Sequence, residues 1–471
     1  MGFGFTELVK HIRYKSLYKP NELYWGIGIE EETYLQFTKP IYVATPIIRT
    51  CHKAERYSVK YYSSYHSSYI VAFAHLFPDA SGCVPLPFFL NAHAFNAMDC
   101  SGNHVTTYKK VSKPNPNFSG TTFFQALSDF RPSGMCYTPK RFSEVFQKSC
   151  IFDGDTLEFM TQDFYKAKVG NVIQELVTCK KELLDSINSY LIEKKLHREK
   201  GLLMYPEVNP GFAVYYTNPK NVAMFNNGTY HINITLPTVL GEYDMQGVPK
   251  LLDYKAFMYD HMKFIRVIQW LEPFIIGFYG SKDPLSAVSS LYSKGSQRCA
   301  LSRYIGIGSY DTLAMLPGKI LTMPVEKIRG HDTGFWWYKT YHLQSGYAPL
   351  KELGMDINFR KHYNHGVEIR FLDWFPESEL KGLMEFYVYL ADASLSGTMP
   401  LEAIMNEEWN NLVVGMLQEG KEYIVSRRTL EMYELLLGMS LKEDTLENVF
   451  GQMCSELKKK YKKGLCAKYM L

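Results

Sequence analysis

Nine cysteines are scattered through the 471 residues, but no two of them form a C-x-x-C pair. An odd count without paired spacing argues against both a disulfide framework and a zinc site, and it points to a reducing compartment. Long apolar runs are also missing. The most apolar stretch, 264–279, is interrupted by Arg266 and Glu272, so no membrane span or membrane partner is expected. The opening MGFGFTELVKH lacks the apolar core of a secretory signal, which makes a cytoplasmic location the expectation. No internal repeat is visible, which argues against a solenoid or propeller. Charge of one sign is scarce as well. The formal net charge is +4, and six of the lysines fall in 458–468 (KKKYKKGLCAK), which leaves the remainder at −2. The body therefore offers no polyanion-binding surface, no nucleic-acid partner is expected, and the basic tail reads as a frayed, solvated helix end without a catalytic role. The G-I-G at 306–308 has neither a Walker Lys-Ser/Thr nor Rossmann spacing, so no P-loop or dinucleotide fold is supported.

What is present is ordinary globular composition, 46% hydrophobic and 21% charged, in a chain long enough for one large catalytic unit or two to three domains. Residues 80–135 are rich in loop signals, with Pro85, Pro87, Pro114, Pro116 and Pro132, and read as an ordered insertion or lid. From Val169 the positions Val172, Ile173, Leu176, Val177, Leu183, Leu184, Ile187 and Leu191 keep a 3.6-residue period, predicting an amphipathic helix that ends near Leu196. A second helix is predicted over about 252–271, stopped by Pro273. Beyond residue 377 the pattern is almost wholly helical. The expected organisation is a core over 1–400 and a helical C-terminal region over 401–471.

Four short segments alternate differently, with apolar residues on one parity and chemically capable ones on the other. In WGIGIEEETYL, Trp25, Ile27, Ile29 and Leu35 share a strand face opposite Gly26, Gly28, Glu30 and Glu32, with Glu31 on the apolar parity. Leu157 and Phe159 oppose Glu158. Tyr230, Ile232 and Ile234 oppose His231 and Asn233. Val367, Ile369 and Phe371 oppose Glu368 and Arg370.

If these strands share one sheet, four carboxylates converge. At an effective dielectric near 20, each pair about 4 Å apart repels by roughly 4 kcal/mol, so a cation is needed. Carboxylates with one imidazole favour Mg²⁺ or Mn²⁺ over zinc, and such ions commonly bridge carboxylates to nucleotide phosphates. Arg370, on the same face as Glu368, would hold a phosphate or carboxylate beside the metals, and Arg298 and Arg303 in SQRCALSRYIGIGSYDT are two more candidates.

The order G-I-E-x-E, L-E-F-x-T, H-x-N and V/I-E-x-R-x-x-D-x-x-P resembles the bacterial glutamate–cysteine ligases and, more distantly, glutamine synthetase and the wider carboxylate–amine ligases. The resemblance implies an α+β fold, in which a curved antiparallel sheet forms a funnel with helices outside. It implies Glu30, Glu32, Glu158, His231 and Glu368 as magnesium ligands, with Asp153 or Asp155 as an extra acidic candidate. It further implies Asn233 and Arg370 at the nucleotide, Arg370 on the transferring phosphoryl group, and Arg298 or Arg303 on a substrate carboxylate or phosphate. The implied activity joins a carboxylate to an amine through an acyl phosphate at the expense of ATP, with glutamate and cysteine the first candidate substrates. A homodimer is left open. The alternatives are a non-catalytic binding or regulatory protein on the same fold, or a two-metal phosphodiester hydrolase.

Overall fold

The computed structural model describes residues 19–33, 35–38, 41–44, 83–86, 89–90, 150–153, 156–195, 197–207, 229–243, 249–282, 293–296, 299, 357–358, 366–397 and 407–471. Its first strand, β1 (Leu23–Thr33), carries the first motif and pairs on both edges within the main sheet. Three small strands follow it, β2 (Leu35–Phe37), β3 (Ile41–Ala44) and β4 (Cys83–Leu86), then β5 (Phe89–Leu90). The hairpin β6 (Cys150–Asp153) and β7 (Thr156–Met160) precedes helix α1 (Val169–Glu193) and the single turn α2 (His197–Lys200). Next come β8 (Leu203–Met204), the long β9 (Thr229–Tyr243) and β10 (Pro249–Leu251), followed by helix α3 (Tyr254–Tyr279), β11 (Ile357–Asn358) and β12 (Val367–Ile369). Helices α4 (Leu380–Ser396), α5 (Glu407–Glu419), α6 (Arg427–Leu437), α7 (Leu446–Tyr461) and α8 (Leu465–Met470) complete the chain.

The four motif strands lie in one open antiparallel sheet of order β11-β12-β9-β1-β7-β6, with β10 attached to β9. Two minor sheets, β5-β2-β8 and β3-β4, stand apart from it. Alternation explains why the sheet has one apolar face: Ile27, Ile29, Leu157, Phe159, Tyr230, Ile232, Ile234, Val367 and Ile369 are all buried in the main core. Helices α1 and α3 cover that core, and α4 packs against both. Each large side chain removed from water there contributes about 1.5–3 kcal/mol. The sequence reading of α1 holds to within three residues of its end. The region 80–135 lies outside the described residues apart from β4 and β5.

Two expectations are corrected. Pro273 does not stop α3 but lies inside it and is buried. A proline weakens the helical ladder behind it, and there the carbonyl of Trp270 accepts Trp409 Nε1 at 3.1 Å and the Tyr433 hydroxyl at 2.6 Å. Pro273 removes the N–H that would bond the Gln269 carbonyl, and contacts from α5 and α6 one residue further on hold α3 through the proline. The C-terminal end is likewise not frayed. The lysines at 458–460, 462 and 463 are solvent-exposed, but α8 beyond them buries Cys466, Ala467 and Met470, and Tyr469 packs on Trp25 of β1 with ring centroids 4.8 Å apart. Asp392 of α4 accepts the backbone N–H groups of Cys466 and Ala467 at 2.8 and 2.9 Å, so a side chain from another helix supplies the missing cap of α8. Gly464 permits this approach, since a Cβ there would fall 2.1 Å from Asp392 Oδ2. One hydrophobic cluster runs from Ile27 of β1 through α3 and α4 to Met470. No helix among the described residues is long and apolar enough to cross a membrane.

Candidate metal centre

The polar parity of the four motif strands is brought together by register. Across β1 and β9, Glu30 pairs with His231 and Gly28 with Asn233; across β1 and β7, Glu32 pairs with Glu158; across β12 and β9, Glu368 pairs with Asn233. His231 Nδ1 lies 3.8 Å from Glu30 Oε2, 4.0 Å from Glu32 Oε1 and 3.6 Å from Glu368 Oε1. One ligand atom from each of Glu30, His231 and Glu368 falls within 4.8 Å of the others, and all three residues are buried. Glu158, opposite Glu32 across β1 and β7, is half-buried. Arg370 follows β12 directly, and its Nη1 donates to Glu368 Oε1 at 3.3 Å.

The electrostatics are those of a site lacking positive charge. Burial holds the His231 pKa down to about 4, assisted by Arg370 and opposed by Glu30 and Glu368, so the imidazole is neutral at neutral pH. Its Nε2 faces the Thr229 hydroxyl at 3.3 Å. Burial works against the Arg370 charge, yet Glu368, Glu32, Glu30 and Glu158 override it and raise the guanidinium above its ordinary value. One guanidinium then faces four carboxylates. Asn233 donates from Nδ2 to Glu30 Oε1 at 3.2 Å, while its Oδ1 is buried without a hydrogen-bond partner. Hard carboxylate oxygens, a neutral imidazole and an orphaned amide oxygen are donors that fit Mg²⁺ or Mn²⁺. Glu30, His231 and Glu368 would hold the ion.

The glycines of the first motif have a structural reason. The chain leaving β7 continues along β1, with Phe164 O accepting Ile27 N and Trp25 O accepting Lys166 N, and the Phe164 ring lies over both glycines. A Cβ on Gly26 would fall 2.3 Å from Phe164 Cε1, and one on Gly28 2.7 Å from Phe164 Cδ2. Phe164 therefore forms an apolar end wall beside Glu30. Glu175 of α1 fixes this segment by accepting Gln162 N and Asp163 N at 2.8 and 2.7 Å. Phe164 has no periodic signature in the sequence; two glycines on a polar strand face were the only sign of a close neighbour.

Arg298 and Arg303 lie outside the described residues. The segment that leads to Arg298 is tied to the last motif, because Ser296 Oγ donates to Asp373 Oδ2 at 2.8 Å and Ser281 N donates to Asp373 Oδ1 at 2.6 Å. Asp153 ends β6 opposite Thr156, and Asp155 lies outside the described residues. The residue that alternation left unexplained, Glu31, faces away from the metal centre and pairs with Lys180 of α1. A lysine four residues after Leu176 and three before Leu183, on the apolar stripe of α1, was the sequence signal for it.

No protein-family model matches the chain. A protein of Acanthamoeba polyphaga mimivirus, the uncharacterized protein R704, is 35% identical over 462 residues, which cover 97% of this chain and 79% of the viral protein. The chain belongs to the same family as R704.

Proposed function

We propose that the protein is an ATP-dependent carboxylate–amine ligase of the glutamate–cysteine type, on a sheet of the glutamine-synthetase kind. The single observation that carries this reading is the convergence of Glu30, Glu32, Glu158, His231 and Glu368 on one sheet face with Arg370 beside Glu368. Such a set suits phosphoryl transfer, where the protein positions reactants and neutralises charge and needs no covalent nucleophile. Glu30, His231 and Glu368 would hold Mg²⁺ or Mn²⁺, which would supply Lewis-acid neutralisation of phosphate charge. Arg370 directs its planar fork of donors at the phosphoryl oxygens. Phe164 and the buried strand face exclude water, which would otherwise hydrolyse an acyl phosphate. In the first step a substrate carboxylate oxygen takes the γ-phosphoryl group and ADP leaves. In the second the amine lone pair attacks the acyl carbon, phosphate leaves with that oxygen, and the amine loses a proton.

Glutamate is the first carboxylate to test and cysteine the first amine. The reading places the protein in a reducing, cytoplasmic compartment, in keeping with nine cysteines that show no C-x-x-C pair. ADP release that requires both Mg²⁺ and a carboxylate, with ¹⁸O passing from that carboxylate into phosphate, is the expected result. ADP release without label in phosphate would exclude the acyl-phosphate route, and hydrolysis of a phosphodiester without ATP would replace it by the two-metal alternative.

A further inference from the structure

Behind the metal centre, on the opposite face of the sheet, a second charged group joins three parts of the fold. Lys180 Nζ of α1 donates to Glu31 Oε1 at 2.8 Å and to Glu377 Oε2 at 2.6 Å. The side chain of Glu31 is 2% exposed, that of Lys180 10% and that of Glu377 33%. Glu31 lies between Glu30 and Glu32 on β1, and Glu377 opens the 3-10 turn Glu377–Glu379, seven residues after Arg370. Tyr205 secures Lys180 from the other side: its hydroxyl donates to the Lys180 carbonyl at 2.8 Å, and its ring centroid lies 4.8 Å from Nζ.

This arrangement is costly for a role in stability alone. A carboxylate desolvated to this degree gains less from one ammonium partner than an apolar pair would gain by packing, and Glu31 Oε2 is buried with no hydrogen-bond partner. Burial pushes the Glu31 carboxyl upward against the pull of Lys180, while Glu31 and Glu377 outweigh burial and raise the Lys180 ammonium. What the triad specifies is geometry. In a strand, the side chain between two site residues sets how both project, and a one-residue slip would exchange the faces of Glu30, Glu31 and Glu32. Resting on the metal reading above, we infer that Lys180 is a positioning residue, which through Glu31 and Glu377 holds β1 and the chain after Arg370 so that Glu30, Glu32 and Arg370 meet across one metal centre.

Mn²⁺ binding, followed by electron paramagnetic resonance on full-length variants shown to be folded by circular dichroism, tests this. The wild type should bind Mn²⁺, Lys180→Met should bind it at least about tenfold more weakly with a broadened bound-ion spectrum, and Lys180→Arg should recover most of the loss. Should Lys180→Met fold poorly, Glu377→Gln at the exposed arm replaces it, with an expected weakening of about threefold or more. A folded Lys180→Met or Glu377→Gln protein that binds Mn²⁺ as the wild type does would overturn the inference and leave the metal centre standing. A wild type that binds no Mn²⁺ would instead overturn the metal reading, and the positioning role with it.

Discussion

At the scale of single residues, the centre combines groups whose ordinary titration is suppressed by their surroundings. His231 is neutral in the folded chain because burial lowers its pKa to about 4, whereas an unfolded histidine titrates near 6.5. Unfolding therefore takes up a proton between about pH 6.5 and pH 4. Stability is fully retained above that window and falls as pH is lowered through it, by roughly 3 kcal/mol at most for this group. Urea unfolding of the metal-free protein across this range should show the loss, and His231→Gln should flatten it; an identical pH slope in the variant would refute the assignment. Gly26 makes a second prediction at this scale. Its substitution by Ala forces Phe164 aside and should cost about 1–3 kcal/mol, while the same change in a Phe164→Leu background should cost much less. Equal costs in both backgrounds would mean that the glycine serves something other than the ring.

At the scale of elements, β12 and α8 carry the clearest consequences. Glu368 and Arg370 are two residues apart, and Glu368 holds Arg370 among the carboxylates of Glu30, Glu32 and Glu158. Arg370→Lys keeps the charge and loses the fork of donors. On the proposed ligase reading its kcat should fall by about 10²–10³, equivalent to roughly 2.7–4 kcal/mol, with ATP affinity little changed. Near-normal turnover with a small drop in Tm would reduce Arg370 to a structural partner of Glu368. Helix α8 reverses the expectation for the basic tail. Removing Asp392 as its cap leaves two buried N–H groups without a partner, so Asp392→Ala should lose about 1–3 kcal/mol or more in chemical denaturation. Deleting 458–471 should be worse, since it also strips Tyr469 from Trp25.

At the scale of the whole molecule, the sheet and the C-terminal helices share one hydrophobic cluster, and packing provides no plane along which they would separate. Trp25 in β1 packs against that cluster and Trp409 in α5 lies within it. Denaturation followed by tryptophan fluorescence and by far-ultraviolet circular dichroism should give one coincident transition for the described core. Two separated transitions would show that the helices after residue 400 fold on their own.

The sequence by itself determined the faces. The period-2 alternation of motif strands and the 3.6-residue period of α1 follow from backbone geometry, so Glu30, Glu32, Glu158, His231, Asn233, Glu368 and Arg370 could be assigned to polar strand positions before any contact was known. Only the tertiary structure decided which strands are neighbours and in what register, because pairing joins residues as distant as Glu30 and His231, and no local pattern encodes it. The same limit hid Phe164, whose place over Gly26 depends on the path of the chain after β7, and Lys180, whose partners come from a strand and a turn far along the chain. Pro273 and the basic tail were misread for the converse reason. Local propensity favours a break at each, but Pro273 is buried in a helix that α5 and α6 grip at Trp270, and the Asp392 carboxylate satisfies the N–H groups that open α8.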